Sequence, residues 1–417
     1  MHNAAHREGV LMLTSLLILF VTMAMIALQK LPGFHHNRPT GALTGAVLML
    51  LTGELTLDRA LAAIDLRTLG LLFGLMVLVV YLEEAGAFTA IGTRIVRLGR
   101  GPALMWSVLL ASGVLAALFM NDTICLLLAP LILTTCRQQG IDPVPALLAL
   151  ILGANVGSLM LPIGNPQQAF IAMHSDISFT DYAHQMLPIG LACLVITGLM
   201  LHLAHRPQAQ TAVAAEKAPS AAIDRSLLWR SCLVLAAMLA AMLTGASMTL
   251  AALTAAAAML LLGRRPPEQM LARINWPLLL MFSGLFVVMA GVRDSGLAEA
   301  AFNWLAPLLH GSPARSVFGL GLFTLVGSNL VSNVPFVMLA AQWIPSYTHV
   351  QQAWLVLAAA STLAGNLTLV GSVAALIVAE QAERHGQLIR FGRFAAVGVP
   401  VTLATTLLAL TWLYAAG

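Results

Sequence analysis

The sequence predicts an all-α membrane protein of about ten transmembrane helices plus two re-entrant hairpins, arranged as two inverted repeats. Three observations carry that expectation: an extreme apolar composition, long apolar runs from end to end, and polar motifs that recur about 210 residues apart. Of 417 residues, 59% are hydrophobic and 9% are charged, a balance that excludes a soluble domain.

Crossing roughly 30 Å of hydrocarbon takes about 20 helical residues. Runs of that kind predict spans near 10–28, 41–57, 68–85, 145–175, 187–205, 227–244, 247–263, 275–292, 352–380 and 394–415. The first run leaves through Gln29-Lys30 with no small-residue cleavage site after it, so it reads as a span and not a secretory signal. Segments 103–137 and 314–345 each contain a polar break and are read as hairpins that leave on the side they entered. Residues 88–100 space Arg94 and Arg97 beside Ile91, Ile95 and Leu98, which suits a helix along the inner membrane surface.

The net charge of +4 is explained by loop bias. Loops 30–40, 88–101, 137–142, 206–230, 264–273 and 383–393 hold 16 of the 21 Lys and Arg, which assigns them to the cytoplasm of a bacterial inner membrane, with both termini outside. No nucleic-acid partner is called for; lipid is. Cys125, Cys136, Cys193 and Cys232 lack metal-ligand spacing and are expected as reduced, packed thiols.

Residues 206–226 are the one linker-like stretch, dividing a first repeat, 1–205, from a second, 227–417. Ile64-Asp65 matches Ile274-Asn275, Gly74-Leu75 matches Gly284-Leu285, and Glu84-Ala85-Gly86 matches Asp294-Ser295-Gly296. Asn121-Asp122-Thr123 is echoed by Ser332-Asn333-Val334-Pro335, and Gly164-Asn165-Pro166 by Gly371-Ser372-Val373. An odd number of crossings between the copies inverts the second.

A broken helix survives in a bilayer only when protein buries it or it lines a cavity. Four breaks stand out: Asn121 to Thr123, Gly153 to Gln167, Ser332 to Pro335, and Gly365 to Ser372. Half-helix N-termini favour an anion and freed carbonyls a cation, as a symport site requires. Asp122 is the carboxylate placed near mid-membrane, where an ionisable group costs about 2.5–3.5 kcal/mol or more. Two readings stand for it, a transport group or, with Asn121 and Thr123, a cap for the following helix. Asn165 and Gln167, and likewise Asn366, Thr368 and Ser372, either line the site or satisfy their own breaks. Glu83, Glu84, His35, His36, His205 and His385 read as interfacial or solvated, and His174 as interfacial or a proton relay. Enzymatic chemistry would need a metal cluster, paired carboxylates or a nucleophile with its base, and the sequence offers none at membrane depth.

The run Asn121 to Pro130, NDTICLLLAP, resembles the first hairpin of arsenite-efflux membrane subunits. Gly153-Ala154-Asn155-Val156-Gly157 with Pro162-Ile163-Gly164-Asn165-Pro166-Gln167, the tip Ser332-Asn333-Val334-Pro335, and Ala364 to Ala375, AGNLTLVGSVAA, are similar to elements of the ion transporter superfamily. That group includes divalent anion:sodium symporters, citrate:metal symporters and sodium/proton antiporters. The resemblance implies a scaffold and a moving domain with both hairpins and both broken helices, commonly as a homodimer. It implies a site drawn from Asn121, Asp122, Thr123, Gly164, Asn165, Pro166, Gln167, Ser332, Asn333, Pro335, Asn366, Thr368, Gly371 and Ser372, with sodium at Asn121, Asp122 and Asn333 and no other cofactor. The expected function is secondary active transport of a small anion, a carboxylate or inorganic oxyanion, coupled to sodium or protons. The alternatives are a sodium/proton antiporter of the same fold, or an arsenite efflux permease with a separate ATPase partner. Where dicarboxylate carriers have Ser-Asn-Thr at both tips, Met120-Asn121-Asp122 and Val334-Pro335 depart, which makes proton coupling or a single cation site the better expectation.

Overall fold

The computed structural model describes residues 2–27, 37–97, 102–205, 223–309 and 311–416, and these form helices with no strand. In chain order they are α1 (His2–Ala27), α2 (Arg38–Leu51), α3 (Leu57–Ala63), α4 (Leu66–Glu84) and α5 (Ala87–Arg97). Next come α6 (Pro102–Leu118), α7 (Asn121–Gln138), α8 (Val144–Gly157), α9 (Pro166–His174) and α10 (Phe179–Ala204). Residues 206–222, most of the expected linker, lie outside the described residues; α11 (Arg225–Leu243), α12 (Met248–Leu262) and α13 (Pro267–Ala272) follow. The series then repeats its order: α14 (Trp276–Asp294), α15 (Leu297–Leu309), α16 (Leu320–Val331, after a π-helical turn Arg315–Gly319), α17 (Asn333–Ala340), α18 (Val350–Ala364), α19 (Val373–Arg384) and α20 (Phe391–Ala416).

Among the described residues six helices are long and apolar enough to cross a membrane, within α1, α4, α10, α11, α14 and α20. The shorter apolar ones include the first arm of each hairpin and the first halves of the two broken helices. The expected spans 145–175 and 352–380 are the pairs α8/α9 and α18/α19, each split by a non-helical stretch. One boundary needs correction, since α10 starts at Phe179 and carries Pro188 in its interior. Ser178 makes that start by accepting the N–H of Asp181 at 3.0 Å, and the run is long enough to absorb the proline. Cys125, Cys136 and Cys193 are buried free thiols, but Cys232 is exposed, because α11 turns a different face toward α12 and α4.

Local chemistry explains the element starts. Asp65 caps α4 by accepting the N–H of Arg67 at 3.0 Å, and Asn275, 210 positions on, caps α14 by accepting that of Leu278 at 3.2 Å. The same offset governs packing. A Cβ on Gly74 would lie 2.5 Å from the backbone of Ala252, and one on Gly284 would lie 2.7 Å from that of Ala42. Glycine at these two positions is what lets α4 approach α12 and α14 approach α2 at backbone distance. Glu83 and Glu84 are ion-paired: Arg273 reaches Glu83 at 3.0 Å and Glu84 at 2.8 Å, and Arg265 bridges Glu84 and Asp224 at 3.4 and 2.9 Å.

Two groups of helices result. One contains α1, α2, α4, α11, α12 and α14; the other contains α6 to α10 and α16 to α20. They meet where α9 packs on α4, α17 on α14, α16 on α1 and α10 on α11. Near that seam His174 stacks on Phe170 with ring centroids 4.1 Å apart and lies 3.7 Å from Asp65. It lines a cavity of about 560 Å³ with Phe286, Arg293, Glu299 and Trp343.

Candidate substrate and ion site

The hairpin α6/α7 turns at Phe119-Met120, and Asn121 opens α7. Its backbone N–H donates to the carbonyl of Gly164 at 3.0 Å, which ties the tip to the break between α8 and α9. A Cβ on Gly164 would collide with the carbonyl of Ser158 and lie 2.9 Å from that of Ala116, so only glycine fits there. The Asn121 side chain donates to Asn155 Oδ1 at 2.9 Å and accepts the N–H of Asp122 at 3.0 Å.

Asn155 is the hub. Its Nδ2 lies 2.9 Å from Asn366 Oδ1, 3.2 Å from Ser372 Oγ and 3.3 Å from the carbonyl of Gly365. Two amide hydrogens shared among three acceptors hold the second break against the first. Ser372 in turn caps α19 by accepting the N–H of Ala375 at 3.0 Å. The carboxylate of Asp122, partly buried, faces the backbone of Ala374 at the start of α19, and the Arg38 guanidinium at the start of α2 acts on it as the opposing charge. Asp122 therefore belongs to one helix group and its counter-charge to the other.

The α9 end is closed by its own asparagine. Asn165 Oδ1 accepts the N–H of Gln168 at 2.8 Å, and its Nδ2 donates to Ser158 at 2.9 Å and Thr362 at 3.2 Å. Gln168 donates to Thr362 at 2.8 Å and to the carbonyl of Ala358 at 3.0 Å, and it accepts from Tyr182 at 2.6 Å. Pro166 occupies the first helical position, where an N–H would have no partner. Gln167 is buried beside it.

At the second tip Ser332 has φ +84° and ψ 150°, a region glycine alone enters freely, at a cost of about 1–3 kcal/mol for any other residue. Asn333 opens α17, with Pro335 buried in the first turn, and α17 packs on α9. Asn333 Oδ1 and Asn366 Nδ2 are buried with no hydrogen-bond partner among the described residues. Thr368 donates to Asn329 Oδ1 at 3.0 Å, and a Cβ on Gly371 would lie 2.6 Å from that oxygen. Thr123 continues the first turn of α7, its N–H donating to the carbonyl of Met120 at 3.0 Å.

Of the three residues expected at sodium, Asn121 donates with its amide to Asn155 and accepts with its oxygen from Asp122, whereas Asn333 Oδ1 has no partner among the described residues.

Direct hydrogen bonds thus link Asn121, Asn366 and Ser372 through Asn155, and Asn165 to the second broken helix through Thr362. Sequence reasoning passed over Asn155, Ser158, Gln168, Asn329, Thr362 and Arg38 as site residues. Asn155 and Asn329 carried a signal, a carboxamide inside an otherwise apolar run. Arg38 did not, because it reads as one more loop charge.

Helices broken at membrane depth, two hairpins and a buried polar hub define a membrane transporter. The sequence profile of the citrate transporter family, CitMHS, matches residues 17–364, and the chain belongs to that family. It is 33% identical to a protein of Oryza sativa subsp. japonica named as silicon efflux transporter LSI3, over 90% of this chain and 92% of that one. It is 22% identical to a Dictyostelium discoideum protein named as putative transporter arsB, over 89% and 86%. In fold it is similar to the Alcanivorax borkumensis YdaH transporter, with a TM-score of 0.57 over 98% of both chains at 18% identity.

Proposed function

We propose that this protein is a secondary active transporter that moves a small oxygen-rich solute, a carboxylate or inorganic oxyacid, across the bacterial cytoplasmic membrane by alternating access. The observation that carries the reading is the placement of Asp122 at the meeting of the first tip with α19, facing an arginine on the opposite helix group. When one group slides past the other, Asp122 parts from Arg38. A carboxylate left buried without its partner costs several kcal/mol, on the order of 3–5. A proton or a sodium ion arriving at Asp122 removes that cost, and solute movement is thereby tied to cation movement. The relatives named for silicon efflux and for arsB support an oxyacid cargo.

The test is net flux in proteoliposomes of germanic acid, arsenite, citrate and sulfate under an imposed pH or sodium gradient. Gradient-driven, saturable flux of one of them that is abolished in Asp122→Asn is the expected result. Flux that ignores both gradients would indicate a channel and overturn the proposal.

A further inference from the structure

His174 ends α9 in one helix group, and Asp65 caps the start of α4 in the other. Across the seam His174 Nε2 lies 3.7 Å from Asp65 Oδ2, and beside that contact the sulfur of Met173 lies 3.2 Å from Thr249 Oγ1 of α12. The two side chains are 30% and 12% exposed, so protons reach the pair while bulk water does not fully screen it. The loop charges put this end of the seam on the outer side of the membrane, opposite the basic loops.

The second ring nitrogen decides what the pair can do. His174 Nδ1 lies 2.9 Å from the carbonyl of Phe170, one turn back on α9; a carbonyl only accepts, so Nδ1 carries a hydrogen. A neutral imidazole has a single N–H. With that hydrogen committed to Phe170, neutral His174 turns the bare lone pair of Nε2 toward a carboxylate, and nothing joins the two groups. The imidazolium carries hydrogen on both nitrogens, so a proton taken up at Nε2 converts the contact into a charge-assisted attraction. Stacking on Phe170, with ring centroids 4.1 Å apart, holds the ring in this direction. Histidine is the side chain that ordinarily changes charge between pH 5 and 8.

The surroundings leave the switch to this pair. Asp65 is also held within its own helix, by Arg67 at 3.4 Å and by the hydroxyl of Thr68 at 2.6 Å, so it stays in place when His174 is neutral. Arg293 of α14 and Glu299 of α15 line the same cavity, with Arg293 turned to Asp294 at 3.5 Å, and Asp176 lies exposed two residues beyond His174. From α17 and α18, which also pack on α9, no charged side chain lines that cavity among the described residues. Asp65 is the carboxylate within ion-pair distance of the ring among those residues.

We propose that His174 and Asp65 form a proton-operated latch at the outer end of the seam. Acid outside protonates His174 at Nε2, ties α9 to α4 and holds the two helix groups together there; neutral or alkaline pH releases them. The latch rests on the transporter reading in one respect, that the two groups move past each other, and a contact that every cycle must part slows the carrier when it is strengthened.

The test is reagent access to the adjoining cavity. Ala290→Cys, in a protein whose exposed Cys232 is replaced by Ser, is labelled with a membrane-impermeant thiol reagent on spheroplasts at external pH of about 5.5 and about 8. Each rate is divided by that of the same protein carrying His174→Phe, which keeps a ring on Phe170 and cancels the pH dependence of the thiol. The expected ratio is close to one in alkali and about threefold lower in acid. Asp65→Asn, which retains an oxygen to cap α4, should abolish the difference, and His184→Gln, at an exposed histidine of α10, should preserve it. Wild-type protein gives an independent reading that needs no variant to fold: backbone hydrogen exchange of residues 170–177, corrected for the intrinsic effect of pH, should be slower in acid by a similar factor. Equal ratios at the two pH values, faster labelling or exchange in acid, or no labelling of either protein overturns the latch. The transporter reading is decided separately, by gradient-driven flux.

Discussion

Asn155 Nδ2 lies 2.9 Å from Asn366 Oδ1, a contact between carboxamides 211 positions apart that joins the two broken helices at their breaks. The same Asn155 accepts from Asn121, so the first tip, the first break and the second break share one side chain.

Removing it should be costly. Asn155→Leu keeps the branched outline of the side chain but leaves the amide of Asn121 and the carboxamide oxygen of Asn366 without partners. Each orphaned buried group costs about 1–3 kcal/mol, so a clear drop in unfolding midpoint in detergent is expected. Asn155→Asp keeps the acceptor for Asn121 but sets a buried carboxylate oxygen against the oxygens of Asn366 and Gly365, and should lower the midpoint at least as far.

Gln167 and Gln168 separate a site role from a structural one. Gln168→Leu breaks the contacts to Tyr182, Thr362 and Ala358 and should lower stability by about 2–4 kcal/mol. Gln167→Leu should leave the unfolding midpoint nearly unchanged. Chemical denaturation of both variants checks the contrast.

Ser332 holds a backbone conformation that suits glycine. Ser332→Gly should therefore raise the unfolding midpoint, by the equivalent of about 1 kcal/mol or more of relieved strain. A neutral or destabilising result would mean that the hydroxyl makes up for the strain.

Close approach at Gly74 predicts that Gly74→Leu destabilises by about 3 kcal/mol through overpacking against Ala252, and Gly284→Leu likewise against Ala42. Gly392→Ala, in α20 with nothing within 4 Å of the added carbon, should not destabilise.

Asp65 carries a pH dependence. Burial pushes its carboxyl up, but the hydroxyl of Thr68, the N–H of Arg67 and the charges of His174 and Arg67 outweigh that and hold it below its ordinary value. Because the folded value is the lower one, its contribution is complete above the unfolded carboxylate range, about 3.9, and is lost as pH falls through the depressed folded value. Asp65→Asn should flatten this acid limb of the stability profile and lower stability at the pH values above it, where the wild-type contribution is complete.

Much of the fold was legible in the residue order. Apolar runs longer than a bilayer, Gly-, Pro- and Asn-rich interruptions, and motifs that return after about 210 positions each have a local physical cause, so they predict the long helices, the two hairpins and the two broken helices. Short helices such as α3 and α13 were not legible, because a turn or two of helix at an interface carries too little periodicity.

Residue types and spacing in the chain determined that polar breaks would sit at membrane depth and which residues would compose them. Only the tertiary structure decided which of those groups remain available. Whether a half-helix N–H is free depends on what arrives from elsewhere: Asp122 comes to α19 from the first hairpin, Arg38 acts on Asp122 from the other helix group, and Asn155 joins the first tip to both breaks across 211 positions. Hydrogen bonds saturate and charges cancel only in three dimensions, so the sequence could name the donors and acceptors but not the pairs they form.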